Sequence, residues 1–319
     1  MSSFLKLKKA LQENRRFILV GHVEPDGDAV GAMAAFAEYL RSNNKTVRIV
    51  CRNNPPVIFD FLGIGDDLRP SWPEDDFDVI VLLDNGDFRR TGFIDEIKQA
   101  QRAKKKVINI DHHPKNDIWK IANVNYADPE ASSTCEVIFQ ILQSLEQDIS
   151  PTMATSLLTG VYYDTGGFRH QNTSKRVFEI SAELMRAGAR LKKITDCINN
   201  SKSPSVFRIW GIALNRLRIS KKYGLSISVL TLDDLHKTGA TEEDVAGLVN
   251  LLNSAPESRA TLLLYETKDA KIKGSLRTEY DDIDLSALAR LLGGGGHKKA
   301  AGFTIEGKIE IDGNDWKII

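Results

Sequence analysis

Four short segments carry side chains that can hold metal ions. His22-Val23-Glu24-Pro25-Asp26-Gly27-Asp28 gathers an imidazole and two carboxylates around a rigid proline and a permissive glycine, which can turn the backbone so that nearby side chains converge. Asp84 ends the apolar run Val79-Ile80-Val81-Leu82-Leu83, and Asp111-His112-His113 closes another, Val107-Ile108-Asn109-Ile110. Asp164 stands in Tyr163-Asp164-Thr165-Gly166-Gly167, at the end of a helical pattern where a lone negative charge is unfavourable and a bound cation would repair it. Taken singly, each has a plainer reading: Asp28 as a helix cap, Asp84 as an Asx turn, Asp164 as an ordinary turn residue. Two adjacent histidines are harder to dismiss, since they point in different directions and one can ligate metal while the other faces substrate. Together the carboxylates and imidazoles, with no cysteine among them, suit Mn²⁺ or Mg²⁺, the nitrogen ligands favouring Mn²⁺. Such a set is too large for one catalytic ion with an open position. It fits two ions about 3.5 to 4 Å apart, the arrangement used to hydrolyse phosphoesters.

The elements that must position these groups follow from periodicity. Phe17-Ile18-Leu19-Val20, Val47-Arg48-Ile49-Val50, the run before Asp84 and the run before Asp111 read as short buried strands. Between them, Val30, Met33, Ala34, Ala37 and Leu40 share one face of a helix from about Asp28 to Asn43-Asn44, and 94–103 forms a shorter helix. Strand and helix in this alternation predict an α/β fold with a doubly wound, mainly parallel sheet. In such sheets ligands bind beyond the carboxyl ends of the strands, where three of the four segments fall.

Bulk composition narrows the partners. With 319 residues the chain is long enough for two domains, and 43 basic residues against 43 acidic ones give no cationic excess for tracking long duplex DNA. Three widely spaced cysteines, Cys51, Cys135 and Cys197, exclude a disulfide framework and a thiolate zinc site, and point to a reducing cytoplasm. The amphipathic start, Met1 to Leu11, lacks the continuous apolar core of a signal peptide, and no apolar run approaches the roughly 18 residues of a membrane span.

In order along the chain, His22-x-x-Pro25-Asp26-Gly27-Asp28, Asp84-x-Gly86-Asp87, Asp111-His112-His113-Pro114 and Tyr163-Asp164-Thr165-Gly166 resemble the motifs of the DHH phosphoesterase family. Gly293-Gly294-Gly295-Gly296-His297-Lys298-Lys299-Ala300-Ala301-Gly302 resembles its DHH-associated C-terminal domain. The resemblance implies that His22, Asp26 and Asp84 hold one Mn²⁺, and that Asp28, Asp84, His112 and Asp164 hold a second, with Mg²⁺ or Co²⁺ as substitutes. It implies that His113 lies against the scissile phosphate as donor or leaving-group acid, with Asp111 orienting its neighbours as a partner in catalysis.

Later segments read as helical from about Ser174 to Ser220, interrupted at Ser201-Lys202-Ser203-Pro204, with strands at Leu225 to Leu230, Ala260 to Tyr265 and Ile272 to Leu276. The expected division is a catalytic domain at 1–185, a helical connection at 186–220 and a smaller mixed α/β substrate-binding domain at 221–319. The glycine run follows a helical stretch and on its own reads as a flexible helix stop; the resemblance makes Gly294, Gly295, Gly296 and His297 substrate contacts and adds Arg277, while Lys298 and Lys299 stay a solvated pair.

The resemblance implies a cytoplasmic Mn²⁺-dependent hydrolase of the nanoRNase type, an exonuclease for short single-stranded oligonucleotides that also takes the mononucleotide bisphosphate 3′-phosphoadenosine 5′-phosphate. Its site would lie in the cleft between domains, no membrane is involved, and a homodimer is allowed for. The competing expectations are a linear or cyclic dinucleotide phosphodiesterase, a RecJ-like single-strand exonuclease and a non-catalytic nucleotide sensor.

Overall fold

A run of buried β-branched residues too short for a helix has one stable home, a sheet covered on both faces. In a computed structural model that describes residues 2–199, 203–255, 258–312 and 315–319, these runs build the centre of the first of two units, Met1–Ser201. Its elements are α1 (Ser3–Glu13), β1 (Arg16–Val20), α2 (Gly27–Ser42), β2 (Thr46–Val50), β3 (Leu68–Arg69), β4 (Val79–Leu83), α3 (Ile94–Arg102), β5 (Lys106–Asp111), β6 (Val124–Ala127), α4 (Thr134–Ser144), α5 (Pro151–Asp164), α6 (Lys175–Arg186) and α7 (Leu191–Asn199). The six strands lie in the order β3-β2-β1-β4-β5-β6, every pairing parallel. The α/β, doubly wound expectation is met.

Both sheet faces are apolar, with alternate residues serving opposite cores. Phe17 and Leu19 face the larger core with α2, α4 and α5, whereas Ile18 and Val20 join Ile80, Leu82, Phe93 and Ile97 on the α3 side. Strand order reverses between β1 and β4: β1 pairs with β2 on one edge and β4 on the other. Such a reversal splays the following loops apart and opens a crevice at the strand ends. Asn85 ties the two strands together there, its Nδ2 donating to Val20 O and to Leu83 O, each at 3.0 Å.

The second unit, Lys202–Ile319, contains α8 (Pro204–Asn215), β7 (Arg218–Ser220), β8 (Leu225–Leu230), α9 (Leu232–Thr238), α10 (Leu248–Leu252), β9 (Ala260–Glu266), β10 (Lys271–Arg277), α11 (Leu285–Leu291), β11 (Gly295–His297), β12 (Ala300–Glu306), β13 (Ile309–Asp312) and β14 (Asp315–Ile318). Its six-stranded sheet runs β11-β12-β10-β9-β8-β7 and is antiparallel except where β8 pairs with β9. One expectation needs correcting. The helical pattern stops before Arg218: Arg218 to Ser220 form a strand, because the Lys221 to Gly224 turn brings them back against Leu225 to Ile227. Farther on, Gly247, with φ +82°, separates a single 3-10 turn from the short α10. The interruption expected at Ser201-Lys202 lies outside the described residues. Among the described residues no helix is long and apolar enough to cross a membrane.

Candidate active site

The loops after β1, β4 and β5 and the end of α5 deliver all the expected metal-binding groups of the first unit to one rim of the sheet. Asp26 caps α2, its Oδ1 accepting from Asp28 N at 3.0 Å and Ala29 N at 3.2 Å. That cap places Asp28 in the first helical turn, where it is fully buried. Asp84 leaves β4 with a left-handed backbone, φ +59°, a conformation open to Asp and Asn but costly for most other side chains. Three donor groups result: His22 with Asp26 and Asp84; Asp28 with His112 and Asp164; and Asp84 with His112 and His113.

Asp84 joins them. Its Oδ2 is 3.7 Å from His22 Nε2, and its Oδ1 is 3.6 Å from His112 Nε2 and 3.5 Å from His113 Nδ1, so its two oxygens face different imidazoles. His22 Nε2 stands 3.8 Å from Asp26 Oδ1, and His112 Nε2 is 3.4 Å from Asp164 Oδ2. These separations exceed a hydrogen bond but suit atoms sharing an ion, since two ligands about 2.1 Å from one metal stand roughly 3 to 3.5 Å apart. His22 supplies a direct test of fit. Its Nδ1 lies 2.7 Å from Val23 O, which can only accept, so Nδ1 carries the proton and Nε2 keeps its lone pair. That Nε2 is buried with no hydrogen-bond partner, and a divalent cation would satisfy it.

Electrostatics point the same way. Burial raises the Asp84 carboxyl well above its ordinary value, and the charges of Asp28, Asp26, Asp164 and Asp111 raise it further. Burial raises Asp28 as well, with Asp26 adding and His112 opposing, and it raises Asp164 with help from Asp28 and Asp26. Asp26 differs: burial would raise it, but the neighbouring His22 imidazole and the N–H groups of Ala29 and Asp28 leave it below its ordinary value. Without a cation, then, the Asp84, Asp28 and Asp164 carboxyls hold their protons to higher pH in the folded state than in the unfolded chain. For raised acids the stabilisation is full below the ordinary 3.8 and falls as pH climbs through the raised folded values. A metal replaces those protons. Mn²⁺ at about a hundred times its Kd is expected to raise the melting temperature by roughly 5 to 10 °C near neutral pH, less at pH 5, with protons released on binding. Melting curves in EDTA and in Mn²⁺ across this range check it, and identical curves would remove the metal centre.

His113 is set apart from the other histidines. Its Nδ1 donates to Asp111 Oδ1 at 2.7 Å and its backbone N–H to the same oxygen at 3.0 Å. The Asp111 hydrogen bond raises the His113 pKa against the opposing effect of burial. Burial alone would raise Asp111, yet the His113 hydrogen bonds and the Gly86 N–H bring it below its ordinary value.

Sequence reasoning overlooked two contributors. Thr134 N and Cys135 N, at the start of α4, donate to the two Asp28 oxygens at 2.6 and 2.9 Å, and Thr134 Oγ1 donates to Asp84 Oδ1 at 3.1 Å. The positive end of α4 thus steadies the carboxylates. Ser133 with Glu136, a capping signature ahead of an apolar run, marked that helix start but gave no hint of what the helix faced. The second is Arg90, whose Nη2 lies 3.1 Å from His22 Nδ1.

In the second unit Arg277, Ala300 and His297 share one row across β10, β12 and β11, which places Arg277 and His297 on the same sheet face. Arg277 is held by neutral acceptors, Asn250 Oδ1 at 2.9 Å and Leu276 O at 2.9 Å, and lines a cavity of about 670 Å³ with Lys273 and Tyr265. The glycine run has a structural duty. Gly293 N and Gly294 N close α11 on Arg290 O and Ala289 O, so these two N–H groups are committed to the helix end. A Cβ on Gly294 would collide with Gly302 O and lie 2.6 Å from Phe303 Cα, while Gly295 to His297 form the edge strand. Lys299 pairs with Asp281 at 2.8 Å.

Comparison with known proteins agrees with this layout. The family model described as DHH family, N-terminal domain, matches residues 16–161, and the DHHA1 domain model matches 223–313. A bifunctional oligoribonuclease and PAP phosphatase NrnA from Thermus thermophilus is 29% identical over 292 residues, covering 91% of this chain and 84% of that protein. The protein of the same name from Bacillus subtilis is 27% identical, covering 92% and 91%. Among solved structures, an exopolyphosphatase-related protein from Bacteroides fragilis superposes with a TM-score of 0.84 at 28% identity, covering 94% of this chain and 90% of that one.

Proposed function

This chain belongs to the DHH phosphoesterase family of metal-dependent phosphodiesterases, and on that premise we propose that it hydrolyses very short oligoribonucleotides to nucleoside 5′-monophosphates and dephosphorylates 3′-phosphoadenosine 5′-phosphate. The observation that carries the reading is Asp84, whose two oxygens face two different imidazoles at 3.7 and 3.6 Å, as a carboxylate shared by two ions would. The metal is proposed to be Mn²⁺, which accepts mixed carboxylate and imidazole ligands, and the substrate class takes its support from the relatives.

When bound, a metal pair would supply an activated water and withdraw charge from the phosphoryl oxygens. The chain's own groups do the rest. His22, Asp26 and Asp84 are assigned to one ion, and Asp28, Asp84, His112 and Asp164 to the other. His113 has committed Nδ1 to Asp111, which leaves Nε2 to hold a proton against the leaving-group oxygen. Asp111 keeps that ring oriented and raises its pKa, so that it holds its proton to higher pH than a free imidazole. Arg277, His297 and the Gly294 to Gly296 run are proposed to grip the nucleotide. The buried Cys51 and Cys135, unpaired, suit a reducing cytoplasm.

The test is a length series of 5′-labelled RNA and DNA oligomers with Mn²⁺, beside 3′-phosphoadenosine 5′-phosphate, cyclic dinucleotides and polyphosphate. The expected result is fastest turnover on oligomers of two to five nucleotides with mononucleotide products. Preference for long DNA, turnover confined to cyclic dinucleotides, or nucleotide binding without turnover would each replace the proposal.

A further inference from the structure

A cationic side chain stands among the candidate metal ligands, and among the described residues it forms no ion pair. Arg90 lies in the 3-10 turn Arg89–Thr91 beyond Asp84, and its backbone is pinned at both ends of the crevice. Its carbonyl accepts from Val23 N at 2.7 Å and its N–H donates to Asp87 Oδ1 at 2.9 Å. The guanidinium turns back toward the site. Nη2 is 3.1 Å from His22 Nδ1, and a Cβ on Gly86 would stand 3.3 Å from Nη1 and 3.2 Å from His113 Cδ2. One planar cation therefore borders both the deepest imidazole and the imidazole proposed to meet the leaving group.

Its contact with His22 cannot be a hydrogen bond in the ligating state. Nδ1 gives its proton to Val23 O at 2.7 Å, and arginine has only donors, so the 3.1 Å approach sets one N–H beside another. Arg52, which donates to Gly92 O just beyond this turn, pairs by contrast with Glu96 at 2.9 Å. Among the described residues Arg90 forms no ion pair. A guanidinium left without an acceptor beside a cation-binding cluster is opposed by desolvation and by like charge. An anion held between them would offset both. Beside Arg90 lies an open depression of about 510 Å³, lined by Val23, Asp87, Arg89, Arg90 and Asp117, none of them a candidate metal ligand. Its carboxylates are engaged, Asp87 Oδ1 by Arg90 N and Asp117 Oδ1 by Phe88 N at 2.9 Å.

We propose that Arg90 is a catalytic residue that donates to a non-bridging oxygen of the scissile phosphate from the His22 edge of the site. The proposal rests on the phosphodiesterase reading above. The fork of guanidinium donors matches two phosphoryl oxygens, and the two backbone anchors fix it before substrate arrives. Charge that builds on those oxygens during displacement strengthens the contact, so its effect falls on kcat more than on KM.

Full-length Arg90→Ala and Arg90→Lys are compared with the wild type in three assays: Mn²⁺ affinity by calorimetry, inorganic phosphate binding to the Mn²⁺-loaded protein, and turnover of a diribonucleotide. The expected result is unchanged Mn²⁺ affinity, weakened phosphate binding and a kcat loss of about 10²–10³-fold in Arg90→Ala. Arg90→Lys should recover part of it, and added guanidinium should partly rescue Arg90→Ala, which a merely structural role would not permit. Wild-type turnover in Arg90→Ala overturns the proposal. So does a fall in Mn²⁺ affinity that accounts for the lost turnover, because Arg90 would then act through His22. A wild type that hydrolyses no phosphodiester removes the premise, a failure visible before any variant is made.

Discussion

Asp84→Asn is expected to fold, to lose the Mn²⁺ response and to lose turnover. Asparagine has the shape of aspartate and tolerates the left-handed backbone that Asp84 adopts at φ +59°, so the end of β4 survives. What changes is charge: one amide cannot present an anionic oxygen to each of two imidazoles. The roughly 5 to 10 °C stabilisation by saturating Mn²⁺ should vanish, and hydrolysis should fall to background. A second effect has the opposite sign. In EDTA near pH 7 the variant should melt higher than the wild type, because a neutral amide replaces a carboxyl raised by burial and by four neighbouring carboxylates. Calorimetric melting in EDTA and in Mn²⁺ reads both effects. A variant that keeps the wild-type Mn²⁺ shift would show that Asp84 is not the shared ligand.

The next largest effect is expected at His113, and it should spare the metals. His113→Gln removes the proton held toward the leaving group and should lower kcat by about 10²–10⁴-fold while the Mn²⁺ shift persists. The pH dependence identifies the role. The Asp111 hydrogen bond raises the His113 pKa above the ordinary 6.5, so the protonated acid survives to higher pH and turnover should decline only beyond that raised value. In Asp111→Asn the support is gone, and the alkaline limb of the pH–rate profile should move to lower pH. Stability follows the same sign: the stabilisation from a raised histidine is full below 6.5 and lost as pH rises through the folded value. Asp111, lowered in the fold, adds stability above the ordinary 3.8 and loses it as pH falls through its folded value. An unmoved alkaline limb in Asp111→Asn would exclude the pair as the acid.

Much of the first unit was legible because its signals are local. Strands buried on both faces read as unbroken apolar runs, as in Val79 to Leu83, and the start of α2 was legible to within a residue or two, although its cap is Asp26 and not Asp28. Strand ends then locate a rim, and the rim collects residues that look ordinary one at a time; Asp84 alone reads as a turn. Contacts made by backbone groups were not legible. Nothing in Thr134 or Cys135 says that their N–H groups meet Asp28, more than a hundred residues earlier in the chain, at 2.6 and 2.9 Å. Arg90 was hidden for another reason: in sequence it is one of two adjacent arginines in a polar turn, and only the fold shows which one reaches His22. In the second unit the glycine run read on its own as a helix stop, while the tight approach of Gly294 to Gly302 and Phe303 is a packing demand that no local pattern reveals.

Position 84 answers to two independent requirements. The φ of +59° that halts β4 rejects branched and bulky side chains and leaves glycine, asparagine and aspartate as the comfortable occupants. The gap between His22 and His112 asks for two anionic oxygens on a short stem, which among side chains means aspartate, glutamate being a methylene too long for 3.7 and 3.6 Å from the same backbone point. The intersection of these two sets has a single member. Drift at this position therefore has no neutral path: every single substitution fails one requirement or the other, and a screen for the stability of the metal-free protein would select the very changes that a screen for turnover rejects.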